Sequence, residues 1–280
     1  QKGMYLLEGH EGDLLATDFT PDGLRAVTAS TDHEMRLWRV TDGLLLRVMT
    51  GHSHEVSGLA VAANGLIASG DGAGEIRLWD GQTGAFLKTL GRQETSVASL
   101  SFSPDGKLLL SGTGEYGDET SICHVFDVDT GETLVSYEYD NSVLATAISP
   151  DGRWAATAGG DDNQINIWEL TTGEGRLDAN GNEIVLDGVG MPVYSAAFSP
   201  DGQRIAWGHL WDDDGALRNA AYGSLEFAIT LPTTDKEPTV SSITAVKPVG
   251  WFRMQGRYSD CATDERGRSE VSGGDGARRQ

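Results

Sequence analysis

Three features of the sequence predict an all-β fold built from repeated four-stranded antiparallel units. Relatives of one stretch, GHSHEVSGLAVAANGLIASGDGAGEIRLWDGQTG at 51–84, recur before and after it. Gly9-His10 precedes Gly51-His52 by 42 residues, a period within the ~40–45 expected for a β-propeller blade. Pro-Asp-Gly at 21–23, 104–106, 150–152 and 200–202, together with Asn64-Gly65, stands between short β-rich runs and marks repeated hairpins. The predicted architecture is a β-propeller of four-stranded antiparallel blades, about five of them recognisable.

In chain order, residues 1–8 align without gaps with 43–50 and read as the outer strand of another blade. In such a ring an N-terminal outer strand completes the last blade and removes exposed edges. Five units follow, at about 9–50, 51–90, 91–137, 138–187 and 188–232. The third has Gly91-Arg92 in place of Gly-His, and Phe126-Asp127 in place of Trp-Asp. The fourth ends in INIWEL at 165–170, and the fifth reaches SLEFAI at 224–229 with Phe227 in the Trp place. In each Pro-Asp-Gly, proline presets φ, aspartate bonds back to the backbone and glycine takes the left-handed conformation. Residues 233–280 show no period and read as an irregular, partly disordered tail or the remnant of a sixth blade. Five units leave two arrangements open, a closed small ring and a truncated seven-bladed ring.

These units resemble the WD-repeat (Trp-Asp repeat) β-propeller family over residues 1 to about 232, and the fifth is similar to units in bacterial proteins of that kind. The resemblance implies a buried set in each blade: His of Gly-His, a Ser or Thr on the second strand, an Asp before the third, and the Trp ending it. The first unit matches throughout with His10, Thr28, Asp32 and Trp38. The second offers His52, Ser69 and Trp79 but has Ala73 where the Asp is expected. The fourth keeps Asp162 and Trp168, with Tyr139 for His and Ala158 for Ser. The third and fifth units keep little of the set.

Composition narrows the function classes. Formal net charge is −21, and residues 1–232 hold 13 basic against 35 acidic side chains. Such a body repels phosphate backbones and attracts basic proteins, so no nucleic-acid partner is expected. No apolar run approaches the ~20 residues of a membrane-spanning helix, so no membrane association is expected. A cytoplasmic location is the default, and the start at Gln1 leaves room for a preceding segment. Cys123 and Cys261 stand far apart without partners at metal-ligand spacing. The first strands LLATDF, VSGLAV, VASLSF, VLATAI and VYSAAF carry only small and apolar residues apart from Asp18, so no ring of catalytic groups faces the axis. No metal, no cofactor and no catalytic residue is expected.

Recognition is expected where loops depart from the repeat length. The loop between second and third strands expands to GTGEYGDETS at 112–121 and to HLWDDDGALRNAAYG at 209–223. In this fold both share a face with the Gly-His connections. The expected contact residues are Tyr116, Asp118, Glu119, Trp211, Asp212, Asp213 and Asp214, with His54 beside Gly51-His52. Aromatic anchors among acids suit a protein or peptide partner, basic in character. The expected function is a non-catalytic scaffold for protein–protein interaction. The alternative is the sensor or regulatory portion of a larger bacterial signalling protein whose enzymatic domain, for example a caspase-like peptidase, lies outside this chain. Oligomeric state is left open.

Overall fold

The computed structural model describes residues 7–114, 121–139, 142–159, 164–178, 181–187, 192–209, 224–230 and 239–241, the last two segments by their backbone. The chain divides into two compact units, Gln1–Lys247 and Pro248–Gln280, and all described residues belong to the first. The described secondary structure is all β.

Among the described residues, twenty strands form five four-stranded sheets, each with its strands in chain order. Blade 1 is β1 (Leu14–Phe19), β2 (Arg25–Ser30), β3 (Met35–Arg39) and β4 (Leu44–Met49). Blade 2 is β5 (Val56–Val61), β6 (Leu66–Asp71), β7 (Glu75–Asp80) and β8 (Phe86–Arg92). Blade 3 is β9 (Val97–Phe102), β10 (Leu108–Thr113), β11 (Ser121–Asp127) and β12 (Thr133–Tyr139). Blade 4 is β13 (Ala145–Ile148), β14 (Trp154–Ala158), β15 (Gln164–Glu169) and β16 (Val185–Asp187). Blade 5 is β17 (Val193–Phe198), β18 (Arg204–His209), β19 (Ser224–Thr230) and β20 (Thr239–Ser241). Strand β20 pairs with β19 beyond residue 232, within the stretch that composition alone marks as irregular.

The first strands β1, β5, β9, β13 and β17 lie side by side in that order, so each blade stacks on the next. Period-two alternation sends every second residue into the layer between blades. Val27, Leu37 and Met49 of blade 1 meet Ile67 and Trp79 of blade 2. Leu78 of blade 2 meets Leu109 and Phe126 of blade 3, Val125 of blade 3 meets Trp168 of blade 4, and Ile167 of blade 4 meets Ile205 and Trp207 of blade 5. The aromatic that ends the third strand therefore faces the preceding blade. Gly58 and Gly70 leave the hollow into which Val97 fits: a Cβ on Gly70 would overlap the Val97 side chain.

The Pro-Asp-Gly turns carry left-handed glycines, as at Gly23 (φ 66°) and Gly106 (φ 71°). The residue before each proline adds a staple that the motif alone does not reveal. Ser103 Oγ donates to Asp105 (2.7 Å) and accepts from the Leu108 backbone N–H (2.9 Å). Ser149 repeats this with Asp151 and Trp154, and Ser199 with Asp201 and Arg204.

Candidate functional site

At the end of the sheets opposite those hairpins, the chain entering each blade passes over the turn between its second and third strands. Gly-His brings an imidazole to this point. In blade 2 the His52 ring spans Asp71 and Ser69, with Nδ1 2.9 Å from Asp71 Oδ2 and Nε2 2.7 Å from Ser69 Oγ. Trp79 Nε1–H donates to the same hydroxyl at 2.8 Å. One proton arrangement satisfies every member: indole to Ser69 Oγ, Ser69 O–H to His52 Nε2, and His52 Nδ1–H to the Asp71 carboxylate. A protonated imidazole would leave the Ser69 hydroxyl hydrogen without its acceptor. Burial accordingly lowers the His52 pKa, outweighing the opposing pull of Asp71. Burial alone would raise the Asp71 pKa, but hydrogen bonds from His52 and from the Glu75 and Ala73 amides together hold it below the ordinary value.

Asp71 corrects the expectation placed on Ala73. The Ser-to-Trp spacing is ten residues in both of the first two blades, yet the carboxylate enters from a different position. In blade 1 it is Asp32, four residues after Thr28, whereas in blade 2 it is the last residue of β6, two after Ser69. Both reach the imidazole because the tight turn folds back over the strand end, and Asp71 Oδ1 also caps the Ala73 and Glu75 amides at 3.0 Å each. Blade 1 forms the equivalent relay, with His10 Nδ1 2.8 Å from Asp32, His10 Nε2 2.8 Å from Thr28 and Trp38 Nε1 2.9 Å from Thr28.

The glycine of Gly-His has two physical reasons. Its φ is 145° at Gly9 and 133° at Gly51, and a Cβ at either position would overlap the guanidinium of Arg36 or Arg77. Each arginine pairs with a carboxylate two residues earlier, Arg36 with Glu34 (3.1 Å) and Arg77 with Glu75 (3.2 Å). His52, Asp71 and Glu75 offer donor atoms within 4.8 Å of one another. Both ring nitrogens of His52 are engaged within the relay, however, and Glu75 is engaged by Arg77, so this trio reads as a structural network.

Blade 3 places Gln93 where the histidine stands elsewhere. Like His10 and His52, it lies four residues before the first strand of its blade. Ser111 Oγ donates to Gln93 Oε1, and Phe126 occupies the Trp position without an N–H to offer. Gln93 Nε2 is buried without a hydrogen-bond partner among the described residues. In blade 4 the hydroxyl is Thr157, correcting Ala158: Thr157 Oγ1 pairs with the Tyr139 phenol and accepts from Trp168 Nε1 at 2.9 Å. Burial holds the Tyr139 pKa well above its ordinary value, keeping the phenol neutral. Tyr137 stacks on Trp168 at 5.1 Å and 10°. Asp162 lies outside the described residues.

Blade 5 substitutes bulk for polarity. Register aligns Trp207, opposite Ala196, with Thr28, Ser69, Ser111 and Thr157 of the other blades. The Trp position of the third strand falls on Ile229, opposite Ile205, and Phe227 stands opposite Trp207 instead, two residues from its expected place. Trp207 is 2% exposed and joins the layer against blade 4.

Of the residues expected to contact a partner, the structure describes only His54. It is exposed on the connection between β4 and β5, with Nδ1 3.0 Å from Ser53 Oγ. Tyr116, Asp118, Glu119, Trp211, Asp212, Asp213 and Asp214 lie outside the described residues. The described ends of the loops that carry them, Gly114 and His209, sit at the same end of their sheets as the Gly-His connections. Cys123 is fully buried, and burial pushes its thiol pKa up, away from nucleophilic reactivity.

The chain is 27% identical over 172 residues to the WD repeat-containing protein slp1 of Schizosaccharomyces pombe, covering 60% of this chain and 35% of that protein. It is 27% identical over 236 residues to the guanine nucleotide-binding protein subunit beta of Nicotiana tabacum, covering 79% and 60%. It is 28% identical over 204 residues to autophagy-related protein 16 of Arabidopsis thaliana, covering 69% and 39%. The chain thus spans roughly a third to three fifths of the length of these relatives. They are eukaryotic, and the expectation of a bacterial-type protein with an enzymatic domain elsewhere draws no support from them. The family model described as WD domain, G-beta repeat matches residues 2–39, 43–80, 84–127 and 131–169, and with the blades and the His-hydroxyl-Trp sets of blades 1 and 2 in place the chain belongs to the WD-repeat family.

Proposed function

We propose that this chain is a non-catalytic scaffold that holds a protein partner on the end of its blades bearing the Gly-His connections. The observation that carries this reading is that the histidines, carboxylates and hydroxyls clustered there are consumed by one another. In blades 1 and 2 the imidazole, its carboxylate and its hydroxyl form a closed relay, which rigidifies the end of the blade and engages each of its own members. Recognition then falls to the loops this rigid end supports. Residues 112–121 and 209–223 exceed the repeat length and between them contain Tyr116, Trp211 and a concentration of acids. The family assignment supports the scaffold class, and the tobacco relative is by name a subunit of a larger assembly.

The aromatics supply affinity and the acids draw in a basic partner. Combining Trp211→Ala with lysine at positions 212–214 is expected to abolish partner capture in a quantitative pull-down while leaving the thermal unfolding midpoint unchanged. Retention of the same captured proteins by the folded variant would sink this reading.

A further inference from the structure

The hairpin ends of β5, β9, β13 and β17 surround a cavity of about 440 Å³. Its walls include Leu59, Phe102, Ile148 and Phe198 together with Ser101 and Thr146. Among the described residues one ionisable group lines it: Asp18, on β1. The register-equivalent residues in the other blades are Ala60, Ser101, Ala147 and Ala197, so charge enters this ring from blade 1 alone.

Asp18 Oδ1 accepts from the Phe19 amide at 2.7 Å and Oδ2 from the Val61 amide of blade 2 at 2.8 Å. Those two bonds fix the carboxylate between blades and leave each oxygen free to accept again. Burial raises the Asp18 pKa, the two amides only partly offset this, and no cationic side chain among the described residues contributes to its environment. A half-buried carboxylate with no counter-charge among the described residues, at an opening where Ser101 and Thr146 lie beside apolar side chains, complements a cation carried on a flexible stem.

We propose that this cavity receives a lysine or arginine side chain of a polypeptide partner, with Asp18 as its counter-charge and the Phe102, Ile148 and Phe198 side chains along its stem. This site is independent of the loop-face reading: the inner strands run away from the Gly-His end toward the hairpins, so the two surfaces lie at opposite ends of the sheets.

The test is a ligand-observed NMR titration of the whole chain with acetyl-Ala-Lys-Ala-amide and acetyl-Ala-Arg-Ala-amide, against acetyl-Ala-norleucine-Ala-amide. Saturable binding of at least one cationic peptide is expected, with about tenfold or greater weakening for Asp18→Asn and for the norleucine peptide. Equal binding in either comparison overturns the proposal, as does the absence of binding by both cationic peptides. Methylammonium or methylguanidinium binding as tightly as the corresponding peptide overturns the polypeptide source. If Asp18→Asn does not fold, Ala63→Trp provides the second arm, because Ala63 is exposed at the cavity. Its added ring is expected to narrow the opening and weaken binding several-fold, and unchanged affinity would overturn the proposal. Trp211→Ala is expected to bind the peptides as the parent does, which separates failure here from failure of the loop-face reading.

Discussion

The His52 relay places three polar side chains in an interior where each depends on the others. Asp71→Ala strands the His52 Nδ1 proton and the Ala73 and Glu75 amides, and is expected to cost about 3 kcal/mol of unfolding free energy in urea titration. Ala73→Asp in the same background is expected to recover only part of that loss, because the carboxylate would enter from the turn instead of the strand end. The relay also sets a pH dependence. His52 has a folded pKa below its unfolded value near 6.5, so the unfolded chain takes up the proton first, and stability is expected to fall as pH drops below about 6.5. Asp71 has a folded pKa below its unfolded value of 3.8; its contribution is present above that pH and is lost as pH falls through the depressed folded value. Urea midpoints recorded from pH 8 to pH 3 check both, and His52→Gln is expected to flatten the upper part of the curve.

The blade 1 relay is legible in sequence because the spacings between its four members suffice to locate them. Asp71 is missed because the spacing that locates an Asp at 32 points to position 73, although an aspartate ending an otherwise apolar run, as in LIASGD, is itself a signal. Thr157 is missed because the hydroxyl and Trp168 are eleven residues apart instead of ten. Gln93 is hidden by anchoring on Gly91, and counting back four residues from the first strand finds it.

Among elements, the seam between blades 2 and 3 is drawn tightest on glycine. Gly70 and Gly58 both face Val97, which is fully buried, so an added methyl has no flexible neighbour to displace. Gly70→Ala is expected to cost about 2 kcal/mol by overpacking, and Val97→Ala in the same chain to return part of it. A double-mutant cycle by urea unfolding would measure the coupling, and additive losses would show that the contact is not the cause. The hairpins are the most legible elements, since Pro-Asp-Gly specifies its own turn. The fifth blade is the least. Trp207 stands where a hydroxyl is expected, and an aromatic on the second strand draws the eye to Phe227 as its third-strand counterpart, although register assigns that place to Ile229. The family match likewise ends at residue 169, while the fifth unit read at 188–232 forms a four-stranded sheet whose last strand, β20, lies beyond the expected boundary.

For the whole molecule, charge acts at longer range than any contact. Residues 1–232 carry 35 acidic against 13 basic side chains, which would favour encounter with the basic partner proposed above before short-range contacts form. Exposed charges are screened beyond about 10 Å at 0.1 M salt. Association is therefore expected to slow markedly between 0.05 and 0.5 M salt, with dissociation changing much less, in surface plasmon resonance against the captured partner. A salt-independent on-rate would remove charge steering from the proposed function.

The repeat recognised in sequence and the blade seen in space are out of phase by one strand: 43–80 begins with β4 of blade 1 and ends with β7 of blade 2. His52 sits just after that junction and ties the chain leaving β4 to the interior of blade 2. A gene that gained or lost one such unit by unequal recombination would therefore be cut within blades, and each strand at the new junction would find a partner of the same kind as the one it lost. The out-of-phase arrangement makes copy number the easiest property of such an array to change, and the identity of the loops the part left to diverge.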